Sequence, residues 1–375
     1  MKIIADHKIP FLKGALEGCC EVVYLPGKEI NRKVLLDADA LIVRTRTLCY
    51  EELLKDTSVK FVASATIGFD HIDTAYCEKN GISWTNAPGC NADSVKQYLA
   101  STLALIINQK KAKFSDLTLG IVGSGHVGSR VQALAKALGI KTLVNDPPRA
   151  RKEGSEGFVS LEKILTEADI ITLHVPLQKT GLDRTLHMAD SGFFTKMKRN
   201  AWLINTSRGA VIETQSVLNS LKTGHLAGAI IDVWENEPDI SNELLHQAVI
   251  ATPHIAGYSS DGKANGTIMS VQAISRFFGL GLDSWTPAFL PEPKYANFTL
   301  DCQNIAPEEF FYRLALHTYD IEADSFHLKE SAETFEIQRE NYPVRREPGA
   351  FTLSLKNHPD GYLQIARNLG FMIQE

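Results

Sequence analysis

The first hundred residues alternate short apolar, β-branched runs with segments of helical character. Four runs predict buried strands: KIIAD, EVVYL, ALIVRT and KFVASA. Polar residues stand at the tails of these runs, among them Asp6, Arg44 with Thr45, and Thr66. Ligands of open α/β sheets gather beyond the carboxyl ends of strands, so these positions are candidates for substrate contacts. Taken singly, each is better explained as the cap of a turn.

A second series of strands and helices follows the helical stretch Asp93–Gln109. Its strand-like runs are LTLGIVGSG, KTLVND, DIITLHV, AWLINT, AGAIIDV and VIATP. Helical patterns separate them, for example at Leu161–Glu167 and Glu213–Lys222. Near-continuous apolar strands alternating with helices predict a parallel sheet covered on both faces. The expected fold class is therefore α/β, with two doubly wound parallel-sheet domains of the Rossmann or flavodoxin type.

The pattern of hydrophobic and polar residues changes toward the end of the chain. An amphipathic helix after Pro253 runs to about Gly279, and the topology predicts that it crosses back to the first domain. The proline-rich segment SWTPAFLPEPKY then predicts a linker. Beyond it, helices near Pro307–His317 and Gly361–Leu369 and a strand FTLSLK predict a small α+β domain. The expected domains are 1–95 with 258–285, 96–257, and 286–375.

Composition narrows the class of protein. The 375 residues are 44% hydrophobic and 22% charged, which is typical of ordinary globular domains. The net charge of −5 offers no attraction for nucleic acid or an anionic membrane, and the longest apolar stretch, Leu99–Ile107, is too short to span a bilayer. No secretory signal is visible, and the six cysteines show no CxxC spacing. We expect reduced thiols in a cytoplasmic protein, with no metal site.

The motif Gly123-Ser124-Gly125-His126-Val127-Gly128 directly follows a predicted strand and opens a helix. The first glycine permits a tight turn, the second lets backbone approach a pyrophosphate, and the third allows close packing of helix and strand. The next strand ends in Asp146, 18 residues after Gly128, where an acid meets the ribose hydroxyls of a dinucleotide. An acid there disfavours a 2′-phosphate, so NAD is expected rather than NADP. The nearby Arg149 argues in the opposite direction.

Three further residues follow the carboxyl ends of consecutive predicted strands: Arg208, Glu237 and His254. An arginine fork binds a carboxylate in bidentate fashion. A histidine exchanges a hydroxyl proton near neutral pH, and a neighbouring carboxylate fixes its tautomer. Each residue has an ordinary alternative: a surface cation, a loop acid before a proline, and a core histidine. The complementary set at three strand ends favours catalysis.

The segments GSGHVGSR, NDPPRA, INTSRGAVIE, IIDVWENEP and TPHIAGYSSDGKANGT resemble the D-2-hydroxyacid dehydrogenase superfamily. Within it, NAPGCN, DPPRA and HIAGY, together with the C-terminal segment, resemble the erythronate-4-phosphate dehydrogenase family. The resemblance implies NAD-dependent oxidation of 4-phospho-D-erythronate to 2-oxo-3-hydroxy-4-phosphobutanoate, an early step in pyridoxal 5′-phosphate synthesis. It also implies a substrate-binding domain (1–95 with 258–285), an NAD-binding domain (96–257) and a dimerisation domain (286–375).

The resemblance implies functional roles for the residues of this chain that match the family's motifs by position. The catalytic residues are Arg208, Glu237 and His254, with His254 the acid/base. Substrate contacts are Thr45, Thr66 and Tyr258. Contacts to NAD, in addition to the glycines of the motif, are His126, Val127, Asp146, Val175, Thr206, Ser207, Arg208, Asp232 and Gly257. Gln97 stands where relatives usually carry an acid, which predicts different packing of its helix.

A phosphorylated substrate needs cations, and two arginine pairs are available. Arg44 and Arg46 flank Thr45 at a strand end, and Arg345-Arg346 lies in the C-terminal segment. Solvated surface side chains are the alternative for both pairs. The helix around Phe310 to Tyr319 is apolar on more than one side, which favours a homodimer. The alternative is that this helix packs wholly against its own chain. A separate hypothesis is that the dimer brings Arg345 or Arg346 toward the phosphate on the other chain.

Two other functions remain open from sequence alone. One is a related dehydrogenase acting on 3-phosphoglycerate or another 2-hydroxy acid. The other is a corepressor-like protein that senses NAD on the same fold, because such a protein can retain all three catalytic residues.

Overall fold

The computed structural model describes residues 1–374, and the chain divides into two compact units. Unit 1 comprises Met1–Asn91 and Ser259–Pro291, and unit 2 comprises Ala92–Tyr258 and the residues from Glu292 onward. All strand pairs formed by the described residues are parallel, so the predicted α/β fold is confirmed.

The strands, in chain order, are β1 Lys2–Asp6, β2 Glu21–Leu25, β3 Ala40–Val43, β4 Phe61–Ser64, β5 Ser83–Thr85, β6 Thr118–Val122, β7 Lys141–Asn145, β8 Ile170–Leu173, β9 Ala201–Asn205, β10 Leu226–Ile231, β11 Ile250–Ala251, β12 Asn297–Asp301, β13 Thr352–Lys356 and β14 Met372–Gln374. The α-helices are α1 Arg32–Leu35, α2 Glu51–Leu54, α3 Thr74–Lys79, α4 Ala92–Lys110, α5 His126–Ala137, α6 Pro147–Glu153, α7 Leu161–Glu167, α8 Ser191–Lys196, α9 Thr214–Lys222, α10 Asn242–Gln247, α11 Ser260–Phe278, α12 Pro307–Thr318, α13 Ile321–Glu330, α14 Phe335–Glu340 and α15 Asp360–Leu369.

Unit 1 is built on a five-stranded sheet in the order β2-β1-β3-β4-β5. Alternate residues of its strands enter two separate cores, because successive side chains of a strand point to opposite faces. Leu41 and Val43 pack with Leu35 of α1 on one face, whereas Ala40 and Ile42 belong to the core that includes Val271 of α11. The sheet is therefore covered on both faces, as the apolar runs predict.

Unit 2 contains a six-stranded sheet in the order β11-β10-β9-β8-β6-β7. Its first strand in the chain, β6, lies between β7 and β8, so the chain turns outward in opposite directions from β6. In open α/β sheets such a switch point forms a crevice beyond the carboxyl ends of the strands. The glycine motif follows β6, and the three predicted catalytic residues follow β9, β10 and β11 at the same edge.

The C-terminal segment shares a hydrophobic core with the six-stranded sheet. Phe310, Phe311 and Leu314 of α12 are fully buried in the core that also holds Leu103 of α4 and Leu119 of β6. The segment has a parallel sheet of its own, β12-β13-β14, of which the sequence predicts only β13. The three-part division into 1–95 with 258–285, 96–257 and 286–375 stays a prediction.

The structure contradicts the argument that α12 has surplus apolar surface for a second chain. Phe311 packs edge-on against Phe114, with ring centres 5.8 Å apart, and Phe310 stacks on Tyr362 at 4.3 Å. The helix is apolar on more than one side because it contacts both α4 and α15 of its own chain. An amphipathic pattern shows that a face is covered and does not show which chain covers it.

Gln97 occupies a buried position on α4. Its side-chain nitrogen donates to the carbonyl of Thr318 at 3.3 Å and to that of Arg346 at 2.8 Å. These two bonds need an amide donor, which an acidic side chain does not supply when ionised. The predicted difference in helix packing from relatives stays a prediction.

Candidate active site

The glycine loop after β6 has the shape that a bound pyrophosphate requires. Gly123 adopts φ 91°, and a Cβ there would lie 2.5 Å from the carbonyl oxygen of His174. A Cβ at Gly128 would overlap the carbonyl of Gly123, whereas the backbone of Gly125 faces open space. Gly125 also precedes His126, the first residue of the 12-residue helix α5, so free N–H groups and the helix dipole point to that space. Gly123 therefore makes a tight turn, Gly128 packs closely against it, and the open space beside Gly125 fits the predicted approach of a pyrophosphate.

Asp146 lies directly beyond β7 and contacts the glycine loop. Its Oδ2 accepts from the N–H of Ser124 at 2.8 Å, and its Oδ1 accepts from the N–H of Arg149 at 3.1 Å. The second bond caps α6. Arg149 pairs with Glu153 at 2.6 Å and donates to the carbonyl of Ser124 in the glycine loop.

We predict that the protein prefers NAD to NADP and that Asp146→Ala narrows this preference. The carboxylate repels a 2′-phosphate, and removing it removes that repulsion. Asp146→Asn is the sharper variant, since asparagine is also a good helix cap and only the charge is lost. The measurement is the ratio of kcat/KM for the two cofactors, and equal turnover of NAD and NADP by the unmodified protein would contradict the prediction.

Three other predicted cofactor contacts lie directly beyond β8 and β9. Val175 packs against Gly123, since a Cβ there would lie 3.0 Å from its side chain. The hydroxyl oxygen of Thr206 is buried and has no hydrogen-bond partner among residues 1–374. Buried polar atoms are ordinarily paired, so this hydroxyl fits a contact with a bound group. Ser207 instead donates both its N–H and its hydroxyl to the side chain of Asn205.

Arg208 follows β9 on a short 3-10 turn, Gly209–Val211. A Cβ on Gly209 would overlap the backbone of Trp234, so the loops after β9 and β10 are in direct contact. The Arg208 guanidinium donates from Nη1 to the carbonyl of Ser207 at 2.8 Å, which leaves further N–H donors for an anion.

His254 and Glu237 form the predicted pair. Nδ1 of His254 lies 2.7 Å from Oε2 of Glu237, whose other oxygen accepts from the N–H of Trp234 at 2.9 Å. Burial on its own raises the pKa of Glu237, but its bond to His254, the charge of His254, the Trp234 N–H and Arg339 outweigh burial and lower the pKa below 4.5. An ionised Glu237 only accepts, so Nδ1 carries the proton and Nε2 is the nitrogen that can take up another.

Asp232 holds the loop that carries His254. Oδ1 accepts from the N–H of Ile255 and the hydroxyl of Thr252, both at 2.7 Å, and Oδ2 accepts from the N–H of Ala256 at 3.0 Å. His254 itself has φ 57°, a conformation that histidine tolerates better than most residues. The bonds to Asp232 hold the backbone on either side of this turn.

Arg345 binds the same loop as Asp232, but it donates to backbone carbonyls where Asp232 accepts from backbone N–H groups. Its Nη2 donates to the carbonyls of Ile255 at 3.1 Å and Ala256 at 2.6 Å, and the guanidinium lies 4.4 Å from the ring centre of Tyr319. The residue is only 5% exposed. The expectation that Arg345 reaches a substrate phosphate on another chain is therefore wrong, because the residue is buried and its Nη2 donates to carbonyls of its own chain. The same expectation for Arg346 stays a prediction.

Unit 1 contains four of the predicted substrate contacts, at or beyond its strand ends. Arg44 follows β3, and its Nε donates to Oδ2 of Asp6 at 3.1 Å, so β1 and β3 do bring their polar tails together. The hydroxyl of Thr66 shares a 2.8 Å bond with Ser64 and donates to the carbonyl of Gly68. Thr45 and Arg46 are exposed.

Sequence reasoning missed the C-terminal residues of the site. Arg339, on α14, donates from Nη2 to the hydroxyl of Tyr258 at 3.0 Å, and Tyr342 packs edge-on against the Tyr258 ring. A further missed residue is Tyr98, whose hydroxyl is 2.8 Å from that of Thr252 beneath the His254 loop. The 3-residue spacing of Glu336 and Arg339 shows only a local ion pair and gives no sign of this placement.

Comparison with known proteins identifies the family. The chain is 54% identical to the erythronate-4-phosphate dehydrogenase of Bacteroides fragilis strain YCH46 over 296 residues, 78% of this chain and 84% of the relative. It is 42% identical to the protein of that name from Yersinia pestis strain Pestoides F over 301 residues, 80% of each chain. The chain belongs to the erythronate-4-phosphate dehydrogenase family.

Family models and solved structures agree with this assignment. Residues 102–256 match the D-isomer specific 2-hydroxyacid dehydrogenase, NAD binding domain, and residues 289–370 match a domain of unknown function, DUF3410. Among solved structures, D-lactate dehydrogenase from Aquifex aeolicus, complexed with NAD and lactic acid, has a TM-score of 0.61 at 27% identity, over 78% of this chain and 100% of that one. NAD-bound 3-phosphoglycerate dehydrogenase from Entamoeba histolytica has a TM-score of 0.62 at 27% identity, over 78% and 99%.

This member of the erythronate-4-phosphate dehydrogenase family is an NAD-dependent dehydrogenase, and its own geometry fits the cofactor. The glycine loop leaves the space that a pyrophosphate needs, Asp146 lies at its edge, and the unpartnered hydroxyl of Thr206 is buried. No helix among residues 1–374 is long and apolar enough to cross a membrane.

Proposed function

We propose that the protein oxidises 4-phospho-D-erythronate at C2 to 2-oxo-3-hydroxy-4-phosphobutanoate, a step toward pyridoxal 5′-phosphate. The observation that carries the proposal is the 2.7 Å bond between His254 and Glu237 at the carboxyl edge of the nucleotide-binding sheet. In this pair, His254 is the proton acceptor. The reaction needs one because the C2 hydroxyl must lose its proton as C2 loses a hydride.

The catalytic roles follow from the protonation states of the pair. Nε2 of His254 accepts the C2 hydroxyl proton, and the ionised Glu237 stabilises the imidazolium that forms. Bound NAD supplies the hydride acceptor. The hydrogen bonds of Asp232 and Arg345 to the backbone of residues 255 and 256 hold the histidine in place during the transfer.

The substrate contacts are proposals of the same kind. Arg208 binds the substrate carboxylate, because its guanidinium retains donors in a fork that matches two oxygens. Tyr258, Thr45, Thr66, Arg44 and Arg46 are the other proposed substrate contacts.

The test is a panel of 2-hydroxy acids followed by NADH absorbance: 4-phospho-D-erythronate, 3-phospho-D-glycerate, D-erythronate and D-lactate. The proposal predicts the highest kcat/KM for 4-phospho-D-erythronate. A higher value for 3-phospho-D-glycerate would assign another 2-hydroxyacid dehydrogenase, and no turnover of any acid, with NADH still bound, would favour an NAD-sensing protein.

We also propose that the protein works in the cytoplasm. No disulfide joins any of its six cysteines, all of which lie in the described part of the chain. Unoxidised cysteines are typical of a reducing compartment.

The homodimer through residues 286–375 is a further proposal. It no longer rests on α12, and its support is a set of exposed apolar side chains in the C-terminal segment, Phe326, Ile337 and Val344, each about 60% exposed. Light scattering of the full chain is expected to give about 83 kDa, twice 41.4 kDa, at micromolar concentration. A mass near 41.4 kDa would remove the dimer.

A further inference from the structure

Helix α14 places Arg339 beside the proposed catalytic centre. Its Nη2 donates to the hydroxyl of Tyr258 at 3.0 Å, and the guanidinium carbon lies 5.6 Å from the centre of that ring. Its positive charge also contributes to the lowered pKa of Glu237, the partner of His254. The C-terminal segment therefore supplies a cation to the surroundings of both Tyr258 and the His254–Glu237 pair.

The hydrogen bonds of Arg339 are incomplete. Nη1 donates to Glu336 at 3.1 Å and Nη2 donates to Tyr258, whereas Nε is buried and has no acceptor among residues 1–374. The side chain is only 17% exposed. A buried guanidinium N–H without an acceptor costs free energy, and an anionic oxygen removes that cost. The Arg339 guanidinium is therefore a cation that is only partly paired within the protein, and an anion can complete its hydrogen bonds.

We propose that Arg339, together with the Tyr258 hydroxyl, binds the phosphate group of the substrate. The inference rests on the proposed function and identifies the residue that makes the protein select a phosphorylated acid. A guanidinium fork matches two phosphate oxygens, and the Tyr258 hydroxyl lies within hydrogen-bond distance of that guanidinium.

Three other arginines already have assigned or observed partners. Arg208 is assigned to the carboxylate. Nη2 of Arg345 donates to the carbonyls of residues 255 and 256, and its Nε, like that of Arg339, is buried with no acceptor among residues 1–374. Arg44 donates its Nε to the buried carboxylate of Asp6. Arg339 combines a buried unsatisfied donor with a direct bond to Tyr258.

The test compares the wild type with Arg339→Gln, Arg339→Lys and a control, Arg367→Gln, which changes an exposed arginine on α15. The substrates are 4-phospho-D-erythronate and D-erythronate, which differ only in the phosphate. NADH binding and the melting temperature report whether each variant is folded.

We expect Arg339→Gln to lower kcat/KM for 4-phospho-D-erythronate by about 10- to 100-fold, mainly through KM, and to change kcat/KM for D-erythronate by less than about threefold. Arg339→Lys should lie between this variant and the wild type, because lysine keeps the charge but loses the fork. Inorganic phosphate should inhibit the wild type competitively and inhibit Arg339→Gln at higher concentration. Arg367→Gln should match the wild type.

The outcomes separate this inference from the proposed function. A wild type that does not favour the phosphorylated acid contradicts the proposed function. A wild type that favours it, with an equal preference in Arg339→Gln, overturns the role of Arg339 alone. Equal losses on both acids would likewise overturn it, because they would show that Arg339 only positions Tyr258.

Discussion

His254→Asn is expected to lower kcat by about 10²- to 10⁴-fold, the contribution typical of a positioned general base. Asparagine is the appropriate replacement, because it tolerates the left-handed backbone that His254 adopts at φ 57°. The variant retains the loop, which Asp232 and Arg345 hold, and loses the nitrogen that takes up the proton.

The chain offers a matched control in His187. This histidine also has a left-handed backbone, at φ 51°, and also lies beside a carboxylate, Glu235, at 2.6 Å. His187→Asn should leave kcat within about threefold of the wild type. If His254→Asn retained near-wild-type kcat, or lost no more than His187→Asn, His254 would not be the base.

Arg208→Ala is expected to lower kcat/KM by at least about tenfold and up to more than a hundredfold. Losing a charge-assisted bond to a carboxylate costs roughly 1.5–3 kcal/mol, and each 1.36 kcal/mol corresponds to about tenfold in rate. Arg208→Lys should recover only part of the loss, because a single ammonium does not reproduce the fork. Arg199→Ala is the control, since that arginine is exposed in the same unit. An Arg208→Ala variant within threefold of the wild type would show that another group holds the carboxylate.

The ionisation of Glu237, the partner of His254, makes the stability of the folded protein depend on pH. The pKa of Glu237 is lowered in the folded protein, so its ionisation favours the folded state above about pH 4.5, and that contribution is lost as the pH falls through the lowered pKa. Its carboxylate therefore remains charged throughout the neutral range, where the reaction needs it.

The local pattern was sufficient to predict most strands and the nucleotide loop. Near-continuous apolar runs predict β6 to β11 because a doubly covered strand has no polar face, and three glycines with Asp146 specify the loop. β5 and β14 have three residues each, and β12 is largely polar, so no apolar run marks them. Their pairing depends on neighbours distant in sequence.

The C-terminal contribution to the site was not predictable in the same way. Arg345 lies 89 residues from Ala256 and Arg339 lies 81 residues from Tyr258, so only packing brings them to the His254 loop. Both arginines stand in segments whose local pattern is that of a solvated surface. Arginine is the correct residue type for binding a phosphate. In the fold, however, Arg345 donates to backbone carbonyls instead.

The most direct test of the account follows the hydrogen at C2. 4-Phospho-D-erythronate labelled with deuterium at C2 is incubated with NAD and the wild-type protein, and the 2-oxo product is trapped with hydrazine. We expect one deuterium in each NADH formed and a trapped 2-oxo acid that retains its phosphate. Deuterium found in water, or loss of phosphate without NADH formation, would contradict it.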